Sequence, residues 1–185
     1  MAAAVTFIGL VRGVNVGGHN RVAMADLRAL LQRLGFTDVR TLLQSGNVVF
    51  RGAARSTAAL ERLLETEMAK RMGLQPDWHV RTAAEWSGIV ARNPFPDVAR
   101  RDPARFVLML LREAPSARAV KALQAAIAGP EQVRSHGNEL YATFPAGQGT
   151  SKLTITVIEK ALGTSATGRN WNTVLKLLEA SRAQE

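Results

Sequence analysis

Val39-Arg40-Thr41-Leu42-Leu43-Gln44-Ser45-Gly46-Asn47-Val48-Val49-Phe50-Arg51 sets the architecture of this chain. Residues 39–43 and 48–51 read as two short strands, and Gln44-Ser45-Gly46-Asn47 reads as the hairpin between them, because glycine and asparagine tolerate positive φ. On the N-terminal side, Met24, Leu27, Leu30, Leu31 and Leu34 recur at helical spacing before Gly35, which is an amphipathic helix with its C-terminal glycine. Before that helix, residues 5–12 contain Val5, Phe7, Ile8, Leu10 and Val11 and read as a buried strand. After the hairpin, Ser56 caps a helix striped with Leu60, Leu63, Leu64, Met68 and Met72 and stopped by Gly73. Residues 78–81 then form a short strand. The order βαββαβ is the ferredoxin-like pattern, with an antiparallel sheet.

A second cycle follows. Thr82 and Glu85 form a capping box for a connecting helix through Val90, and residues 93–105, with three prolines, read as a loop and as the boundary between halves. Residues 106–112 read as a strand, and 116–128 as a helix with Val120, Leu123 and Ile127 on one face. Strands near 132–135 and 139–144 flank His136-Gly137-Asn138, an echo of Ser45-Gly46-Asn47 that suggests internal duplication. Residues 152–162 suit a strand by their β-branched content and a helix by Ile155, Ile158 and Leu162; we read them as a helix ending at Gly163. A last helix carries Trp171, Val174, Leu175 and Leu178 on one face. The expectation is an α+β protein of two ferredoxin-like halves plus C-terminal helices, divided as 1–92 and 93–185 or packed as one compact domain.

Composition narrows the chemistry. The 185 residues contain no cysteine, which excludes disulfides, thiol nucleophiles, zinc ribbons and iron–sulfur clusters. No window approaches the roughly 18 consecutive apolar residues of a spanning helix, and the apolar start from Ala2 lacks a basic leader, so a cytoplasmic protein without membrane association is expected. The net charge of +9 favours anionic partners, nucleic acid above all. Arginine outnumbers lysine 19 to 5 and alanine occurs 29 times, a skew that coding bias also produces, and the basic residues form no tail.

Topology brings two loops together. In a ferredoxin-like sheet the first and third strands are neighbours, so the loop after the first strand emerges beside the hairpin that enters the third. That loop reads Gly13-Val14-Asn15-Val16-Gly17-Gly18-His19-Asn20-Arg21, flanked by Arg12, between a strand and a helix start. Glycines let backbone N–H groups turn toward an anion, and the helix end adds partial positive charge. The loop fits neither nucleotide-binding glycine motif, and Asp26 in the first helical turn already complements the dipole. A tight connection whose glycines serve geometry alone accounts for the same residues.

Arg12-Gly13-Val14-Asn15-Val16-Gly17-Gly18, the hairpin Gln44-Ser45-Gly46-Asn47-Val48-Val49-Phe50, and Thr167-Gly168-Arg169-Asn170-Trp171-Asn172-Thr173 resemble the bacterial family called domain of unknown function 1697 over residues 7–178. The resemblance implies a duplicated ferredoxin-like fold and no established activity. It carries motif positions Arg12, Gly13, Asn15, Gly17, Gly18, Gln44, Ser45, Gly46, Asn47, Arg169, Asn170, Trp171 and Thr173, and His19 is not one that its pattern holds. In the third motif Arg169 and the amides of Asn170 and Asn172 can bond phosphate or base edges and Trp171 can stack on a base. Trp171 also opens an apolar stripe, which suits a core residue, and Thr167 or Asn170 can simply cap the helix.

The catalytic inventory is thin. His19, His79 and His136 form no metal pair, Ser45 has no nucleophile elbow, and Glu61, Glu65 and Glu67 lie beside Arg62, Lys70 and Arg71 as on a solvated helix face. Tyr141 in a strand suits packing more than acid catalysis. Neither a metal nor a cofactor is expected. The expected function is binding of a phosphate-bearing ligand, nucleotide or RNA: Arg12 would neutralise phosphate, Gly17 and Gly18 would donate N–H groups, and Asn15 and Asn47 would orient the ligand beside Gln44 and Ser45. Two alternatives stand beside it. One is an enzyme acting on a small anionic metabolite held by Arg12, Asn47 and Arg169 between the halves; the other is a non-catalytic scaffold or subunit.

Overall fold

The computed structural model describes residues 4–18 and 20–183; His19 lies outside them. Two compact units emerge, one running to Gly88 and taking back the chain from Lys176, the other spanning Ile89–Leu175.

In the first unit β1 (Ala4–Val11) and β3 (Asn47–Ala53) are central, with β2 (Thr37–Leu42) and β4 (Trp78–Thr82) at the edges, in antiparallel order β2-β3-β1-β4. The alternation of β1 sends Phe7 and Val11 to one face, where Phe50, Val48, Trp78 and Val80 join them. Two helices cover this face: α1 (Met24–Arg33) with Leu27, Leu30 and Leu31, and α2 (Thr57–Met72) with Leu60, Leu64 and Met68. Burial of each such side chain contributes roughly 1.5–3 kcal/mol before entropy is set against it. Ser56 caps α2 by accepting from the Ala59 amide, and Gly73 ends it in the left-handed region at φ 67°. The other sheet face carries Ile8, Leu10 and Val49 with Asn47 and His79, all buried as well.

Glu61 and Glu65 do not form the solvated face expected of them. Glu65 accepts from the Trp78 amide at 3.0 Å and Glu61 from the Val80 amide at 2.8 Å, so α2 satisfies the open edge of β4. Glu67, its side chain about as covered as that of Glu61, pairs with Arg71 along its own helix. Its bond from Arg71 holds the Glu67 carboxyl below its usual range.

The connecting helix α3 (Ala83–Ala91) begins with the expected box: Glu85 accepts from the Thr82 amide at 2.7 Å and Thr82 from the Glu85 amide at 3.1 Å. The proline-rich stretch after it is ordered into α4 (Pro96–Arg101) and a 3₁₀ turn (Pro103–Arg105), because both prolines stand at first helical positions, where a missing N–H costs nothing.

The second unit repeats the pattern with β5 (Phe106–Leu111), α5 (Ala117–Ala126), β6 (Gln132–His136), β7 (Glu139–Thr143), α6 (Ile155–Leu162) and β8 (Ala166–Asn170), in sheet order β6-β7-β5-β8. The helix expected at 152–162 is present. β8 is the strand that periodicity missed; with glycine and threonine in it, five residues give no alternating apolar signal. The register defines the repeat: Leu10 faces Asn47 and Leu110 faces Glu139, while the Val11 amide donates to Gly46 and the Leu111 amide to Asn138. Gly46 therefore corresponds to Asn138, and the sequence echo with Gly137-Asn138 is one residue out of step. At the other side Ile8 faces Arg81 as Leu108 faces Arg169, and α7 (Trp171–Arg182) follows β8 as α3 follows β4. In α7 the expected face is partly wrong: Leu175 is 42% exposed, and Leu177 is buried instead.

Candidate functional site

The loop after β1 and the β2–β3 hairpin do meet, and Asn15 joins them. Its Nδ2 donates to the Gln44 carbonyl at 2.7 Å and to the Val22 carbonyl at 2.9 Å, while its Oδ1 accepts from the Val22 amide at 2.9 Å. The Asn15 amide donates to Asn20 at 3.1 Å, closing the loop on itself. Such a closure requires left-handed backbone, found at Gly13, Asn15, Gly17, Gly18 and Asn20, residue types that carry little strain there.

These contacts give several expected ligand groups other work. Asn15 is engaged at both ends of its amide. Asn47 is fully buried, and its Nδ2 donates to the Leu42 carbonyl and to Ser45 Oγ, both at 2.9 Å. Gln44 turns its carbonyl to Asn15, so the hairpin meets the loop through backbone and the Asn15 amide. Arg12 is half-buried, with its amide bonded to Asp77 at 2.9 Å. Gly17 and Gly18 are exposed, and a Cβ built on Gly18 would touch nothing within 4 Å.

The open side of the loop faces the start of α1. A shallow basin of about 380 Å³ is lined by Asn15, Gly18, Arg21, Val22 and Ala23. Next to it, sharing Arg21, runs a groove of about 390 Å³ where Arg21, Asp26, Arg33 and Arg71 stand over Leu30 and Met72. Ala23 occupies the N-cap and offers the first-turn amides no side-chain acceptor, unlike Ser56 at the start of α2. One carboxylate and three guanidinium groups share the groove, one of the latter, Arg71, also bonded to Glu67 at 2.7 Å. Arg33 and Arg71 were not anticipated. Each lies in the last turn of its own helix, and nothing in their spacing relates the two ends.

Arg169 and Asn170 belong to the second unit. Arg169 sits in β8, where Nη1 donates to Thr167 Oγ1 at 3.0 Å and to the Gly168 carbonyl at 2.8 Å; loss of water lowers its guanidinium to about 10, still charged at neutral pH. Asn170 caps α7, its Oδ1 accepting from the Thr173 amide at 3.0 Å. Trp171 is buried, stacked on Phe106 with ring centroids 4.5 Å apart. The third motif is thus a strand end, a cap and a core residue.

Tyr141 is also a core residue. Its hydroxyl donates to the Ile89 carbonyl at 2.8 Å, and burial, with Glu139 nearby, pushes its pKa up to about 12. The unfolded chain releases this proton near pH 10 and the folded one near 12, so stability present below pH 10 falls as pH rises through that window, by up to about 3 kcal/mol. Arg169, depressed in the folded state, acts with the opposite sign there. Urea unfolding of wild type and Tyr141→Phe from pH 8 to 12 isolates the tyrosine: the variant is expected to be about 1 kcal/mol weaker at pH 8, to draw level near pH 11 and to be the more stable of the two by pH 12. Parallel curves would contradict the assignment.

Among the described residues no group of histidines and carboxylates is arranged to hold a metal, and no helix is long and apolar enough to cross a membrane. No curated protein matches this chain. Among solved structures, a conserved bacterial protein from Streptococcus pneumoniae is similar at 26% identity, covering 96% of this chain and 99% of its own, with a TM-score of 0.75. The profile of a protein family of unknown function, DUF1697, matches residues 5–141, and the chain belongs to that family.

Proposed function

We propose that the protein binds a phosphate-bearing ligand of nucleotide size at the start of α1. The observation that carries this reading is that the basin beside Gly18 and the Ala23 N-cap, which has no side-chain acceptor, shares Arg21 with a groove of about 390 Å³ where Arg33 and Arg71 also stand. Phosphate would lie against Gly17, Gly18 and Arg21, where the helix start and backbone amides favour negative charge. Asp26 and the apolar floor of Leu30 and Met72 would take the remainder of the molecule. The volume suits a mononucleotide better than an RNA strand, which needs a track several nucleotides long.

Calorimetric titration at low salt with AMP, inorganic phosphate and a short single-stranded RNA tests it. AMP is expected to bind, and an Arg21→Ala, Arg33→Ala double variant to weaken it by roughly 10- to 100-fold, as loss of charge-assisted bonds does. Asn47→Ala is unsuitable as a probe, since Asn47 is buried. Absence of AMP and phosphate binding, or equal affinity in the double variant, would overturn the proposal; RNA binding far tighter than AMP, with a steep salt dependence, would replace the nucleotide by a strand.

A further inference from the structure

The second unit repeats the first with a shorter helix: α6, of 8 residues, lacks both the first and the last turn of the 16-residue α2. Glu65 of α2 accepts from the Trp78 amide and Glu159 of α6 from the Ala166 amide, each at the first residue of the edge strand. This equivalence sets the alignment of α6 on α2: Leu64 and Met68 match Ile158 and Leu162, all buried. Leu60 lies five residues before its glutamate, as Thr154 lies five before Glu159. Leu60 is fully buried, whereas Thr154 is the exposed N-cap of α6. On the sheet beneath, the positions of Phe7 and Phe50 are held by Val107 and Ala142. Phe144 takes up part of the space, and a cavity of about 330 Å³ remains, with Val107, Met109, Phe144 and Leu153 as its apolar wall and Gln148 and Asn170 as its polar side.

We propose that this cavity in the second unit binds a small uncharged molecule with an apolar body and one hydrogen-bonding end. No ionisable side chain lines it, so an ionic ligand would be desolvated without a counter-charge. Its volume lies at the small-molecule end of binding pockets, well below what a helix or strand of a partner fills. Gly168 keeps the floor open, since a Cβ there would stand 3.2 Å from Val107 Cγ1 and 3.5 Å from Met109 Cγ. Asn170 Oδ1 and Thr154 Oγ1 are committed to helix caps. The Gln148 side-chain amide is then the group to meet a donor at the polar end, its Oε1 accepting, while Asn170 Nδ2 can meet only an acceptor. Ile155, 40% exposed, stands at the mouth.

The probes are indole and 1-methylindole, titrated into the full chain and followed by methyl NMR. Indole is expected to give saturable shifts confined to Val107, Met109, Leu153 and Ile155, and 1-methylindole, lacking the N–H, to bind at least about fivefold more weakly. Val107→Phe, which supplies the ring that Phe7 provides in the first unit, is expected to abolish binding. Should that variant fail to fold, Ile155→Trp narrows the mouth at an exposed position, with an expected weakening of about tenfold. Shifts that do not saturate, shifts spread over other exposed apolar residues, or unchanged affinity in the folded variant would overturn the proposal. AMP binding at α1 uses none of these residues, so the two tests fail independently.

Discussion

Gly46→Ala is expected to lower stability by about 3 kcal/mol, a fall in Tm of roughly 6–12 °C for a chain of this size. Two terms contribute. Gly46 has φ 74°, where a Cβ costs about 1–2 kcal/mol. That Cβ would also stand 2.6 Å from Val14 Cγ2 and 2.9 Å from Val11 Cβ, distances that force the β1 end and the loop apart, at about 1–3 kcal/mol. Gly18→Ala serves as control, because φ is 79° there and the Cβ would meet nothing within 4 Å. Urea denaturation of both variants separates backbone strain from crowding. An equal loss in the two would refute the close packing of hairpin on loop. The same shift would disturb Asn15 and the basin beside it, so AMP affinity is expected to fall in Gly46→Ala although no ligand touches residue 46.

For Trp171→Ala the expected loss is larger, about 3–5 kcal/mol. The ring is 3% exposed, stacks on Phe106 at 4.5 Å and lies 6.5 Å from Tyr141. Removing it opens a void beside two aromatic neighbours whose pairing adds about 0.5–1.5 kcal/mol beyond area. Trp171→Phe should recover most of the loss. An alanine variant less than about 1 kcal/mol below wild type would contradict the core position and reopen the case for a base-stacking surface. Denaturant midpoints with unchanged slopes are the measurement.

Part of the candidate site could be read in advance. Gly13, Gly17, Gly18 and Gly46 marked left-handed turns, and the ferredoxin-like strand order placed their loops together, as the Asn15 to Gln44 bond at 2.7 Å bears out. Side-chain direction could not be read. Asn15 and Asn47 have the chemistry of ligand groups, yet one latches the loop and the other is sealed under the hairpin. Glu61 and Glu65 have the spacing of a solvated face, and the open edge of β4 claims them instead. Helical periodicity favours Leu175, four residues after Trp171, yet Leu177 is the one that is buried.

Local rules were therefore sufficient for the elements with strong signals: the hairpin at Gly46, the stripes of α1 and α2, and the Thr82 and Glu85 box. Each rests on contacts within a few residues or on a period of 2 or about 3.6, and those survive in a one-dimensional string. The register, the one-residue offset of the echo, β8, the shortening of α6 and the meeting of Arg21 with Arg33 and Arg71 depend on partners tens of residues away. Such pairings are chosen by packing density and by the need to satisfy buried amides, quantities that exist once the layers are assembled.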